Sequence, residues 1–265
     1  MSVKTSQKQI ALVLDFDGTV SPEVMLNPVF DNLGIDRISF WDQTEALFNI
    51  GYDREIAYLQ MLRSESDRSK IPLSNNRLHE LGRKIAFYPG FPEIIPVLDK
   101  LTTSFGYNLK TYVITAGLEE LVSGSRLSPF LSRCWGCRYA EDSDGKISHP
   151  TQIVTSAGKV EKLYLIKRQL LDHRQTILVN YVESREDIVP WNHLIYVADG
   201  ATDVPAFEVV RRGGGTGIGV YDPNTGRREN AMISGRTDII VPADYTVGSI
   251  LEKELSKAII RSINS

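Results

Sequence analysis

The sequence predicts an α/β protein with a doubly wound parallel sheet and a small helical cap domain inserted after the first strand. Short apolar runs alternate with helical patterns, two of those runs end in spaced aspartates, and one long stretch shows helical spacing alone. The chain has 265 residues, of which 42% are hydrophobic and 24% charged. This composition is typical of a folded globular protein and excludes a disordered or collagen-like chain.

Five runs rich in valine and isoleucine are predicted to be strands. Their apolar residues are continuous rather than alternating, which is typical of strands that helices cover on both faces. The runs occupy 10–14, 111–115, 194–198, 216–220 and 239–241. A further run, 176–182, has the composition of a strand but is interrupted by Asn180. Its assignment as a strand or a loop stays open.

Helices are predicted where apolar residues recur three and four positions apart, which places them on one helix face. In 91–101 the apolar positions are 91, 94, 95, 98 and 101, and similar spacing is found in 159–171, 204–210 and 248–260. The stretch 20–88 has helical spacing and no convincing strand. We therefore expect an α/β core formed by 1–19 and 89–265 and a helical cap domain formed by 20–88.

The charge and cysteine content limit the classes of partner and compartment. With 30 Lys+Arg against 33 Asp+Glu, the net charge of −3 does not recruit nucleic acid or an anionic membrane. Two cysteines cannot form a secreted disulfide framework, and the first dozen residues lack the apolar run of a signal peptide. No apolar stretch approaches the roughly 18 residues of a membrane span. We expect a cytoplasmic protein without a nucleic-acid or membrane partner.

Paired carboxylates follow the first predicted strand, in the segment Leu14-Asp-Phe-Asp-Gly-Thr19. Ligands of open α/β sheets bind beyond the carboxyl ends of the strands, and alternate residues of a strand point the same way. Asp15 and Asp17 could therefore share one site. The alternative interpretation is a turn, because Asp and Gly are common turn formers.

Polar residues also follow the later strands. Asp199 and Asp203 come after the run 194–198. Clustered carboxylates repel each other unless a cation compensates them, and an all-oxygen ligand set suits Mg²⁺. The second predicted strand is followed by Thr115-Ala-Gly, which offers a hydroxyl and backbone N–H groups to an anion. Lys159 lies near the start of a predicted helix and supplies a positive charge there.

In this order, the Asp-Phe-Asp-Gly-Thr segment, Thr115, Lys159 and Asp199-Gly-x-x-Asp203 resemble the four motifs of the haloacid dehalogenase superfamily. The resemblance extends from residue 10 to about residue 220 and implies the Rossmann-like core of that superfamily. A helical insertion between the first two motifs resembles the phosphoserine-phosphatase-like branch, whose cap closes over the site.

The resemblance implies a catalytic role for each matching residue. Asp15 would be the nucleophile that forms an aspartyl-phosphate. Asp17 would protonate the leaving alcohol and then activate water. It also implies that Mg²⁺ would be bound by Asp15, Asp199 and the backbone carbonyl of Asp17, with Asp203 in the outer shell.

The resemblance also implies a phosphate-binding group formed by Thr115, Ala116, Gly117 and Lys159, which would hold the phosphoryl oxygens as charge develops. We prefer Lys159 to Lys162 as the motif lysine, because Lys159 lies nearer the start of the predicted helix. The implied activity is that of a Mg²⁺-dependent phosphatase acting on a small phosphorylated metabolite. A phosphomutase or phosphotransferase, or a non-catalytic protein that binds a phosphorylated ligand, stays open as an alternative.

The chain departs from phosphoserine phosphatase where that family binds its substrate. The position nine residues after the nucleophile, where the family has a glutamate, is Val24, while Glu23 is one place early and Gly18 stands where Ser is usual. These departures count against phosphoserine. The sequence leaves sugar phosphates, nucleotides, amino-alcohol phosphates and cofactor precursors open as substrates, and it leaves the oligomeric state open.

Three further groups of residues invite functional interpretations that we weigh against structural ones. Cys134 and Cys137 resemble a redox or zinc pair, but they lack a second pair and are better interpreted as reduced thiols beside a core Trp. Phe40 and Trp41 are better explained as cap core than as a stacking platform. The basic residues of the insertion fit a solvated surface better than an anion site; they are Arg54, Arg63, Arg68 and Lys70.

Overall fold

A seven-stranded sheet lies at the centre of the computed structural model, which describes residues 8–172, 178, 188–225 and 233–265. The strand order is β4-β3-β2-β1-β5-β6-β7. The strands are β1 Gln9–Leu14, β2 Asn108–Leu118, β3 Arg133–Glu141, β4 Ile147–Gln152, β5 Leu194–Ala198, β6 Thr216–Tyr221 and β7 Ile239–Pro242. All neighbouring pairs are parallel except β3 and β4, which are antiparallel. The predicted α/β class is confirmed.

The five predicted strands are present, and the structure adds two that the sequence did not predict. β3 and β4 form one edge of the sheet, where a strand is less completely covered and carries polar residues. β4, Ile-Ser-His-Pro-Thr-Gln, has only one buried residue. β2 also continues past its predicted end to Leu118, with an irregular register against β3 beyond Ile114.

Helices cover both faces of the sheet, as a doubly wound core requires. Successive residues of β1 alternate between two hydrophobic layers: Ile10 and Leu12 lie in one, Ala11 and Val13 in the other. The first layer includes residues of α5 and α9, and the second includes residues of α7 and α8. The core helices are α5 Ile94–Ser104, α6 Glu119–Gly124, α7 Ser156–Arg168, α8 Val204–Arg212 and α9 Ile250–Ile263.

The stretch 20–88 contains four helices, and no strand is assigned within it. They are α1 Asn27–Leu33, α2 Arg37–Asn49, α3 Arg54–Arg68 and α4 Asn75–Gly82. α2 begins where the Asp36 side chain accepts a hydrogen bond from the Ser39 N–H at 2.8 Å, and α4 begins with the same arrangement at Ser74. The helical content of this stretch agrees with the sequence pattern, while its separation as a cap domain stays a prediction.

Two observations concern the sequence predictions at the margins of the fold. The run 176–182 lies outside the described residues apart from Leu178. Among the described residues, no helix combines the length and apolar character needed to cross a membrane.

Candidate active site

The carboxyl ends of three neighbouring strands bring the predicted site residues to one edge of the sheet. Leu14 at the end of β1 pairs with Val113 of β2 on one side and with Val197 of β5 on the other. The Asp15 N–H donates to the Val197 carbonyl at 3.0 Å, which fixes the backbone of the candidate nucleophile against β5. The chain then turns at Gly18, so the turn considered as an alternative is present together with the site.

A buried lysine joins the first and last motifs. The Lys159 Nζ lies 2.9 Å from Asp15 Oδ1 and 2.6 Å from Asp203 Oδ1. Lys159 is 1% exposed and Asp203 is fully buried, so neither charge could stay in the interior without its partner. Lys162, which the sequence offered as the alternative, instead pairs with Glu161 at 2.9 Å.

Local structure explains why Lys159 points into the site. α7 begins at Ser156, and its N-cap residue Thr155 accepts a hydrogen bond from the Gly158 N–H at 3.1 Å. Lys159 therefore lies in the first turn of the helix. Tyr196 of β5 donates its hydroxyl to the same oxygen of Asp203 at 2.5 Å, so that this oxygen is held from two directions.

Three carboxylates converge at the same point and form a ligand set suited to Mg²⁺. Asp15, Asp199 and Asp203 each offer an oxygen atom within 4.8 Å of the others. Asp199 also accepts a hydrogen bond from the Thr19 hydroxyl at 3.2 Å. An all-oxygen set of this kind fits a hard divalent cation. The predicted contribution of the Asp17 backbone carbonyl stays a prediction.

The electrostatics of these carboxyl groups reflect the same crowding. Burial, followed by repulsion from Asp203, raises the pKa of Asp15 well above its ordinary value. Burial and repulsion from Asp203 likewise raise the pKa of Asp199 to about 6. Burial lowers the pKa of Lys159, but the charges of Asp15 and Asp203 outweigh this effect and raise it above its usual value. A bound cation would offset the repulsion among the three carboxylates.

Asp17 has a different environment from Asp15. Its Oδ1 accepts a hydrogen bond from the Met25 N–H at 2.8 Å. Burial is the main cause that raises the pKa of Asp17 to about 7, and repulsion from Asp199 adds to it. A carboxyl group that titrates near neutral pH is suited to giving and taking a proton. Asp17 also lines a cavity between the insertion and the sheet.

The candidate phosphate-binding residues are held by contacts among themselves and with the insertion. The Thr115 hydroxyl accepts a hydrogen bond from the Gly117 N–H at 3.0 Å. The Ala116 carbonyl accepts from the Tyr58 hydroxyl of α3 at 2.8 Å and from the Cys137 thiol at 3.2 Å. All three residues lie within β2 rather than after it, because that strand extends to Leu118.

A cavity of about 330 Å³ lies between the helices of the insertion and this edge of the sheet. Its size is that of a pocket for a small ligand. Side chains from the insertion and the core share its wall, which is formed by Asp17, Val24, Met25, Leu26, Trp41, Thr44, Glu45, Phe48, Arg54, Glu55, Tyr58, Ala116, Gly117 and Thr202.

The residues of the insertion that the sequence analysis considered together differ in whether they line the cavity. Phe40 is buried, as expected for cap core, whereas Trp41 lines the cavity and is partly exposed, so the core interpretation of Trp41 is wrong. Arg54 lines the cavity as well, whereas Arg63 and Arg68 pair with acidic residues of their own helix. Glu23 lies outside the cavity and accepts a hydrogen bond from Asn27.

Three comparisons place this geometry among known proteins. No protein-family profile matches the chain. An uncharacterized protein of Borreliella burgdorferi is 26% identical in an alignment that covers 96% of this chain and 98% of that protein. Among solved structures, a HAD family hydrolase of Salmonella enterica has a TM-score of 0.57 at 18% identity over 84% of this chain and 66% of its own.

Two further solved structures cover most of the chain. A phosphoserine phosphatase has a TM-score of 0.55 at 16% identity, covering 88% of this chain and 94% of its own. Cytosolic 5'-nucleotidase IIIB, bound to cytidine, also has a TM-score of 0.55 at 16% identity, covering 96% of this chain and 86% of its own. This chain has the haloacid dehalogenase fold.

Four residues of this haloacid dehalogenase fold were not assigned a role from the sequence. Tyr196 binds Asp203, Thr19 binds Asp199, and Tyr58 binds the Ala116 carbonyl. The Met25 N–H binds Asp17. Tyr196 lies in an apolar run that was predicted to be a buried strand. A buried tyrosine hydroxyl usually has a hydrogen-bond partner, so its presence in such a run could have indicated a contact with the site. Tyr58 carries no such signal, because its partner is 58 residues away in sequence.

Proposed function

We propose that the chain is a Mg²⁺-dependent phosphatase of the haloacid dehalogenase superfamily that hydrolyses a small phosphomonoester through an aspartyl-phosphate. One observation carries the proposal: Asp15 is buried beside Lys159 and two further carboxylates, two residues before Asp17, which lines a cavity. A protein that only binds a phosphorylated ligand needs neither a buried nucleophile nor an acid next to it.

The first half-reaction uses Asp15 and Asp17. A carboxylate oxygen of Asp15 attacks phosphorus, and the bond from phosphorus to the alcohol oxygen breaks. Asp17 gives its proton to that oxygen, for which a carboxyl pKa of about 7 is suited. In the second half-reaction a water attacks the aspartyl-phosphate, Asp17 takes the proton of the water, and inorganic phosphate leaves.

The remaining site residues position the phosphoryl group. Lys159 lies 2.9 Å from the nucleophile and supplies a fixed positive charge next to the attacked phosphorus. Thr115 and the backbone N–H groups of Ala116 and Gly117 would hold the phosphoryl oxygens. Mg²⁺ would be held by Asp15, Asp199 and the carbonyl of Asp17, with Asp203 in the outer shell, and it would offset negative charge at the phosphoryl group.

The named relatives support a phosphatase in general terms. The solved structures of this fold include a phosphoserine phosphatase and a 5'-nucleotidase, which both act on phosphomonoesters. The position nine residues after Asp15, where phosphoserine phosphatases have a glutamate, is Val24, which lines the cavity. Glu23 lies outside the cavity wall and does not replace that glutamate.

The proposal is tested by phosphate release from a panel of phosphomonoesters, with Mg²⁺ or with excess EDTA. We expect metal-dependent release from the wild type and none from Asp15→Asn. Asp99→Asn is the matched control, because Asp99 is an exposed aspartate of α5. Folded, metal-loaded protein that releases no phosphate, or Asp15→Asn protein that keeps most of its activity, would contradict the proposal. An added acceptor alcohol that becomes phosphorylated would identify a phosphotransferase instead.

A further inference from the structure

We infer that the alcohol released from the substrate carries a positively charged amino group, bound by Glu55 among aromatic side chains. This inference rests on the proposed function and names the substrate class. It concerns the part of the cavity formed by the insertion, since Asp15 and Lys159 would bind the phosphoryl group and the released alcohol would occupy the space beyond Asp17.

The wall of this space is largely aromatic and apolar. Trp41 and Phe48 of α2 and Tyr58 of α3 line it, together with Val24, Met25 and Leu26. Aromatic faces attract cations through their quadrupole and also pack against methyl and methylene groups. The structure contains an example at this site, where the guanidinium carbon of Arg54 lies 3.9 Å from the centre of the Phe48 ring.

Arg54 is already occupied and leaves little positive charge for an anionic group. Besides stacking on Phe48, its guanidinium pairs with Glu45 Oε2 at 3.3 Å. It is the single cationic side chain among the described residues of the wall, against the carboxyl groups of Asp17, Glu45 and Glu55. A leaving group that carries a carboxylate or a second phosphate would therefore face more negative than positive charge.

Glu55 is the acidic residue of this wall with no partner of its own. Its side chain is half-buried, and it forms no ion pair or hydrogen bond with the part of the chain that the structure describes. A partly buried carboxylate is stabilised by a cation. Glu55 lies in the first turn of α3, where it also interacts favourably with the helix dipole. That role affects stability and not the choice between substrates, so the two roles can be separated.

The test compares phosphomonoesters that differ in charge and match in shape. Choline phosphate is paired with its uncharged analogue 3,3-dimethylbutyl phosphate, and 2-aminoethyl phosphate is paired with propyl phosphate. We expect wild-type kcat/KM to favour the charged member of at least one pair by about tenfold or more, the size of a partly desolvated cation–carboxylate and cation–π interaction. Phosphoserine, which adds a carboxylate, should be a poorer substrate than 2-aminoethyl phosphate.

Two variants assign the preference to Glu55. Glu55→Gln should lower kcat/KM for the charged esters more than for the neutral esters, so that the charged-to-neutral ratio falls several-fold. Asp67→Asn removes a carboxylate from the same helix away from the cavity and should leave the ratio unchanged. Thermal unfolding of Glu55→Gln measures the separate contribution of Glu55 to stability. Equal rates for charged and neutral members of both pairs, or a ratio that Glu55→Gln leaves unchanged, would overturn the inference.

Failure of the inference and failure of the proposed function give different results. Hydrolysis of p-nitrophenyl phosphate that depends on Asp15, without any preference for charged esters, would overturn only the inference. If no ester is hydrolysed, calorimetric titration of Asp15→Asn protein with the same two pairs still decides the point. Binding that favours the charged esters and is lost in the double variant with Glu55→Gln supports the cation site, and equal or absent binding contradicts it.

Discussion

At Gly18 the backbone passes close to the carboxylate cluster. Its φ is +74°, a conformation that side chains with a Cβ rarely adopt. A Cβ built at this position would lie 2.2 Å from Asp199 Oδ2. Glycine is therefore required for two separate reasons, the backbone conformation and the space for a candidate metal ligand.

Gly18→Ala separates these reasons when compared with Gly34→Ala. Gly34 has a φ of +68° and no atom within 4 Å of a built Cβ, so its variant reports the conformational cost alone. We expect each variant to lower the free energy of unfolding by about 1–3 kcal/mol. Only Gly18→Ala should also abolish the increase in Tm that Mg²⁺ causes. An unchanged Mg²⁺ response in Gly18→Ala would contradict the placement of Asp199 at the metal site.

The raised carboxyl pKa values predict how the metal-free protein responds to pH. Burial raises the pKa of Asp17 from 3.8 to about 7 and that of Asp199 from 3.8 to about 6. Between the ordinary pKa of 3.8 and these raised values, the folded state binds more protons than the unfolded state. The free energy of unfolding therefore falls as pH rises from about 4 to about 7. Mg²⁺ should restore stability most at the high end of this range.

The measurement is Tm in EDTA and in Mg²⁺ at pH 5 and pH 8, at matched ionic strength. We expect the increase in Tm caused by Mg²⁺ to be larger at pH 8, where more of the converging carboxyl groups are ionised and repel each other. Asp199→Asn, which removes one of the three converging carboxylates, should lose most of that increase. Equal increases at both pH values, or an unchanged increase in Asp199→Asn, would count against the cluster as the metal site.

At the scale of elements, one hydrogen bond joins the insertion to the candidate phosphate site. Tyr58 of α3 donates its hydroxyl to the Ala116 carbonyl of β2 at 2.8 Å, in a buried position. The next residue, Gly117, donates its N–H to the hydroxyl of Thr115, a candidate phosphate ligand, at 3.0 Å. The position of α3 and the backbone geometry of the candidate phosphate site are therefore coupled through Tyr58.

Tyr58→Phe keeps the ring that lines the cavity and removes this hydrogen bond. We expect it to cost about 1 kcal/mol in the free energy of unfolding and to lower kcat several-fold, because the Ala116–Gly117 backbone is less firmly held. Tyr52→Phe is the control, since Tyr52 is an exposed residue of the α2–α3 connection. Equal kcat in Tyr58→Phe and the wild type would show that the contact is structural only.

Burial on both faces explains why β1 and β5 were predicted from the sequence. β1 and β5 are continuous apolar runs because helices cover both of their faces. β3 and β4 were missed because an edge of the sheet needs no such run, and β4 contains a serine, a histidine, a proline and a threonine in succession. Composition alone could not distinguish these strands from a loop.

At the scale of the whole molecule, the predicted motif residues come together because parallel strands end at one edge of the sheet. Asp15 and Asp199 follow neighbouring strands, and Lys159 contacts Asp15 from the first turn of α7. The strand ends predicted the carboxylates of this cluster, and the resemblance to the superfamily motifs added Lys159 to it. The cavity above it could not be predicted, since Trp41, Glu55 and Tyr58 come from two helices whose packing no local pattern specifies.

The central claim is that Asp15 becomes phosphorylated, and trapping the phosphoenzyme tests it most directly. Asp17→Asn protein with Mg²⁺ and p-nitrophenyl phosphate should accumulate the intermediate, because this leaving group departs without a proton while water attack lacks its base. After an acid quench, mass spectrometry should find one phosphoryl group, on the peptide that contains Asp15, removable by hydroxylamine. The account would be contradicted if the wild type releases phosphate but quenched Asp17→Asn protein has an unmodified Asp15. A phosphoryl group on another residue would contradict it as well.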